Sequence, residues 1–149
     1  MKDWIEHFRA AACGMPVSRV WRGYGSALFI ELGTLTQRTR RDGSSGNPTG
    51  EIGLMIEWSW RIEDARSIAC GSWTDEGLWQ SSFDRLVGGE VIDLTTFGRL
   101  PEVMLHLSGD LHVASFMTAE GDAEWSLFDR RGPILITVGC RSGAITEEE

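Results

Sequence analysis

The sequence predicts an α+β domain dominated by antiparallel β-sheet, and three observations carry that prediction. Between Glu51 and Glu63, the residues Ile52, Leu54, Ile56, Trp58, Trp60 and Ile62 fall on every second position. A strand places such a set on one face, whereas a helix scatters it. From Glu90 onward, apolar-rich runs alternate with short turns bearing Gly or Asp, and short links favour antiparallel neighbours. Two segments, near residues 3–13 and 74–87, keep helical spacing instead. The sum is about eight strands in a sandwich or partial barrel, with two short helices.

The first helix is expected over Asp3 to Cys13. Asp3 can cap it, with Glu6 three residues on, and Ile5, Phe8 and Ala12 make one apolar stripe. Gly14 and Pro16 end it. Val17 to Thr36 reads as two strand runs parted by the turn Gly23–Tyr24–Gly25–Ser26, with Leu28, Ile30 and Leu32 alternating in the second. Residues 38–50 lose all periodicity and carry Gly, Ser, Asn and Pro, so a flexible loop is expected there. The run from Glu51 to Glu63 is then read as one long strand, bending at a bulge by Gly53. After a tight connection at Asp64–Ala65, Arg66 to Trp73 is its hairpin partner.

Thr74 to Val87 changes period. Trp79, Phe83, Leu86 and Val87 recur at helical spacing, Thr74 is the expected cap and Gly88–Gly89 the stop. The remaining strands are read at residues 90–96, 102–107, 111–118, 124–129 and 133–140, with turns at 97–98, 108–110, Glu120–Gly121–Asp122 and 130–132. The acidic end, about 144–149, is expected to be a frayed tail. All 149 residues read as a single domain.

Composition narrows the function. Lys plus Arg number 14 and Asp plus Glu 22, a formal charge of −8. That balance argues against nucleic acid as a partner and is compatible with a basic protein. Cys13, Cys70 and Cys140 are odd in number and form no CxxC pair, so neither a disulfide framework nor a zinc site is expected, and Cys70 and Cys140 read as small core residues. With no signal-like apolar region and no membrane-spanning run, a cytoplasmic location and no membrane association are expected.

Four groups of residues stand out as candidate contacts. On the polar side of the long strand, Glu57 and Arg61 could floor a charged pocket, or belong to a solvated face laced with ion pairs. His106 and His112 flank Ser108–Gly109–Asp110. A three-residue loop pairs the two imidazoles, while a two-residue type II′ turn sends them to opposite faces. Gly at the first central position favours the second. No metal and no cofactor are expected, because two ligands do not make a zinc site. Arg38, Arg40 and Arg41 form a basic loop that could grip an acidic group or merely solubilise the chain. Among the seven Trp, Trp73 is the one expected at a surface, while Trp58, Trp60 and Trp79 are assigned to the core.

No catalytic or nucleotide-binding motif is present. The leading expectation is a non-enzymatic protein-binding module of inhibitor or immunity type, covering a basic target. The alternative is a small polar ligand held between curved sheet and helix by Glu57, Arg61 and His106. A catalytic role would require a strongly shifted carboxylate or His in a cleft.

Overall fold

The computed structural model describes residues 2–120 and 124–148. The fold is α+β, with two antiparallel sheets that do not close into a barrel. One sheet has six strands: β1 (Val17–Arg22), β2 (Leu28–Leu32), β3 (Ile52–Ile56), β9 (Trp125–Asp129), β10 (Ile136–Arg141) and β11 (Ala144–Glu148), paired in that order. The other has five: β5 (Ile68–Gly71), β4 (Trp60–Glu63), β8 (Leu111–Ser115), β7 (Glu102–Leu107) and β6 (Val91–Phe97), in that spatial order.

Two helices bridge the sheets. Helix α1 (Trp4–Ala12) packs on β6 and β3, and α2 (Trp79–Leu86) packs on β1 and β5. Asp3 caps α1 by accepting from the Glu6 amide at 3.0 Å, and Phe8 and Ala12 are its fully buried residues. The second helix is shorter than its periodicity suggests. A 3-10 turn at Glu76–Leu78 precedes it, and Asp75 rather than Thr74 supplies the cap, accepting from the Gly77 amide at 3.2 Å. Thr74 accepts instead from the Gly71 amide and the Trp79 indole. Trp79, Phe83 and Leu86 are buried, while Leu78 and Val87 are exposed.

The period-two stretch is not one strand. It breaks at Glu57–Trp58–Ser59, and its two halves belong to different sheets. The break is pinned on both sides. The Glu57 amide donates to the Glu124 carbonyl at 3.1 Å, and buried Ser59 donates its hydroxyl to the Phe116 carbonyl at 2.8 Å. The alternation survives because both sheets face one core: Ile52, Leu54 and Ile56 enter it from one side, Trp60 and Ile62 from the other. Trp58, at the crossover, is only half-buried, against its expected place in the core. The expected bulge at Gly53 is also absent, since Gly53 sits in regular register between Glu31 and Phe128. A Cβ there would lie 2.9 Å from Arg130 Nη1 and 3.2 Å from the Phe128 ring, so a side chain would press on the guanidinium that pairs with Glu31.

Two further expectations change. Residues 144–148 are not a frayed tail but the edge strand β11, in register with β10 from Arg141↔Ala144 to Thr137↔Glu148. Glu149, and Gly121 and Asp122 of the expected turn, lie outside the described residues. The segment 38–50 folds back on itself through bridges Thr36↔Thr49 and Thr39↔Ser45, and Arg19 ties it to β1 through Asn47 and the Pro48 carbonyl.

Candidate functional site

Two places on the five-stranded sheet bring candidate residues together. The first is the β7–β8 hairpin. Its register pairs His106 with His112, Leu105 with Val113 and Leu107 with Leu111, so the loop has three residues. This corrects the two-residue turn favoured from the sequence. Gly109 (φ 76°) and Asp110 (φ 61°) both take left-handed backbone, and Asp is among the few side chains that tolerate it. Leu105, Leu107 and Val113 face the core, so both imidazoles stand on the opposite, outer face. They stack with ring centroids 4.2 Å apart and planes 11° from parallel.

The sheet continues this row. Asp93 on β6 is the register partner of His106, and Glu63 on β4 that of His112. A carboxylate, two imidazoles and a carboxylate therefore cross four adjacent strands. Each outer carboxylate has a cation: Arg9 Nε lies 2.6 Å from Asp93, and Arg61 Nε 2.7 Å from Glu63. The hydrogen bond from Arg9 holds the Asp93 carboxyl below its usual range. Asp110 completes the group from the turn, its carboxylate and the ring nitrogens of both His lying within 4.8 Å of one another. From the sequence only the two His count as ligands in either register; Asp110 joins them because its left-handed backbone in the turn brings its carboxylate close to both rings.

The second place is a groove of about 260 Å³ beside the edge strand β5, lined by Arg61, Ile68, Ser72, Trp73 and Phe116, with Trp60 at its base. Trp73 is 87% exposed and Ile68 58% exposed. The Arg61 guanidinium lies 5.5 Å from the Phe116 ring centroid, within cation–π range. One neighbour of β5 is β4, and its other side is unpaired among the described strands.

The other candidates lie elsewhere. Glu57 is in the crossover between sheets, outside the groove that holds Arg61 and Trp73. Arg38, Arg40 and Arg41 are exposed on the loop after β2, where Arg38 Nε donates to Thr49 Oγ1 at 2.7 Å.

One carboxylate does combine a cleft with a raised pKa. Burial pushes Glu102 up, and it lines an opening of about 320 Å³ with Glu120 and Glu124. Both of its oxygens are engaged, however, by the Ser115 hydroxyl at 2.8 Å and the Met117 amide at 2.6 Å. It serves to fasten the open end of the β7–β8 pair. Close by, burial and the adjacent Glu124 carboxylate push the Cys140 thiol up to about 12, the reverse of what a nucleophilic thiolate needs. All three cysteines are free, with Cys70 and Cys140 buried.

No protein family, curated protein or solved structure matches this chain.

Proposed function

We propose that this protein is a non-enzymatic protein-binding module, and that the groove along β5 is its contact face. The observation that carries the reading is Trp73, a large aromatic ring left 87% exposed beside an apolar groove. An isolated exposed apolar residue is ordinary. A Trp standing over a groove next to an unpaired strand edge has the makings of a binding hot spot, since Trp contributes much apolar area for few lost rotations. An extended segment of a partner can add to β5 through main-chain hydrogen bonds while one apolar side chain enters the groove.

The charge of −8 favours a partner with a basic surface. The chain would then act as a cover for that partner, in the manner of an inhibitor. The experiment is affinity capture from the host lysate with three baits: the unaltered chain, Trp73→Ala, and Ile68→Lys. The expected result is a basic companion held by the unaltered chain, released at high salt and lost from both variants. A companion held equally by all three, or one indifferent to salt, overturns the reading.

A further inference from the structure

We propose that His106, Asp110 and His112, gathered by the β7–β8 hairpin, form a binding site for a divalent transition-metal ion of the zinc class. The site is separate from the β5 groove and does not depend on the role proposed there.

Donor geometry is the first argument. Two ring nitrogens and a carboxylate oxygen lie within 4.8 Å of one another. Zinc holds such ligands at about 2.0–2.2 Å, which places them roughly 3–3.5 Å apart. Stacked, nearly parallel rings direct their nitrogen lone pairs side by side rather than at one centre, so binding turns the two imidazoles out of the stack about χ1 and χ2, toward Asp110 in the exposed turn. The two imidazoles stand at directly paired positions on adjacent strands, so the sheet itself sets their spacing.

Availability is the second argument. Neither imidazole nor the Asp110 carboxylate makes a hydrogen bond to another described residue, and neither His is fully exposed. These donor atoms are free to take a ligand, unlike His7, whose ring nitrogen meets Asp129 at 3.0 Å. Support from the neighbours is the third. Asp93 and Glu63, held by Arg9 and Arg61, flank the two imidazoles along the same row, and their negative charge favours a cation bound between them.

The chemistry selects the ion. Two imidazoles and one carboxylate suit zinc and its borderline neighbours better than calcium or magnesium, which prefer oxygen alone. Three protein ligands leave a fourth position for water or for a donor from a partner molecule.

The test uses the full chain. Zn²⁺ is titrated against a chromogenic chelator, native mass spectrometry reads the stoichiometry, and Co²⁺ reports the donor set by its visible spectrum. One ion per chain is expected, with weak Co²⁺ bands and no thiolate charge transfer. His112→Gln and Asp110→Asn should each weaken Zn²⁺ binding by about tenfold or more, with circular dichroism confirming that both variants remain folded. His7→Gln and Cys13→Ser should leave it unchanged, as should Trp73→Ala, so that this proposal and the β5 reading fail separately. Absence of Zn²⁺ binding, undiminished binding in the His106→Gln/His112→Gln double variant, or a thiolate band with Co²⁺ would overturn the assignment.

Discussion

On the six-stranded sheet, Glu31 is 1% exposed and its carboxylate is fully engaged. It accepts from the Trp21 indole at 2.8 Å, the Gly50 amide at 3.1 Å and Arg130 Nη1 at 3.1 Å. On the five-stranded sheet, His106, Asp110 and His112 sit as close together, yet they make no hydrogen bond to other described residues. Both groups are compact sets of polar side chains on a β scaffold. The first has no capacity left over, because a buried carboxylate without partners would be costly. The second can remain open because water reaches it. A polar cluster whose donors and acceptors are all matched within the chain holds the fold together; one left unmatched at a half-exposed surface is available for something outside it.

Mutation of the matched cluster is the sharpest way to break this comparison. Glu31→Ala leaves Arg130 mostly buried without its partner and should cost about 3–5 kcal/mol, read by urea denaturation. A loss below about 1 kcal/mol would mean that water replaces the carboxylate and that the two clusters are alike.

Asp129 extends the matched class and makes it depend on pH. It is 5% exposed and takes bonds from Arg131 Nε at 2.9 Å, Arg131 Nη2 at 2.8 Å and His7. The Arg131 guanidinium holds its carboxyl well below the ordinary carboxylate range. A depressed native pKa means that the unfolded chain takes up the proton first as pH falls. The stabilisation is therefore complete above about pH 4, the ordinary Asp value, and is lost progressively below it. Asp129→Asn should lower stability at neutral pH by about 1–3 kcal/mol and flatten the acid limb of the stability profile. An unchanged acid limb would show that Asp129 is not a main source of the acid dependence.

The smallest effect is expected where nothing is matched. Without metal, His106→Gln/His112→Gln should change stability by no more than about 0.5 kcal/mol. A loss of several kcal/mol would place the pair among the structural groups and remove the contrast.

The same distinction explains what could be read from the sequence. Helix α1 was legible because its cap, stripe and stop are all local: Asp3, Phe8, Ala12 and Gly14 lie within one short stretch. The crossover at 57–59 was hidden because Ile56 and Trp60 are an even number of residues apart and point into one core from its two sides. The His register was misjudged on turn preference, since Asp110 took a left-handed conformation that Gly109 alone had been expected to supply. Strand β11 gave little apolar signal: of its residues, Ile145 is the one that packs against the core. The Glu31–Arg130 pair joins residues from distant parts of the chain and leaves no local pattern. The pairing of β4 with β5 was legible as a hairpin, but its register was not: a register shift between Ile62 and Glu63 sets Arg61 opposite Gly71, and so close to Trp73.

The crossover between β3 and β4 has a consequence for how the chain acquires its structure. Because β3 pairs with β9, its alignment from Ile52↔Asp129 to Ile56↔Trp125 cannot form until the last third of the chain is available. The hairpins β1–β2 and β7–β8 are local and can close early, but the centre of the six-stranded sheet requires contacts across a long loop. High contact order of this kind slows folding. During synthesis β3 must wait with one hydrogen-bonding edge bare, and that interval is when the nascent protein is most open to pairing with the wrong strand.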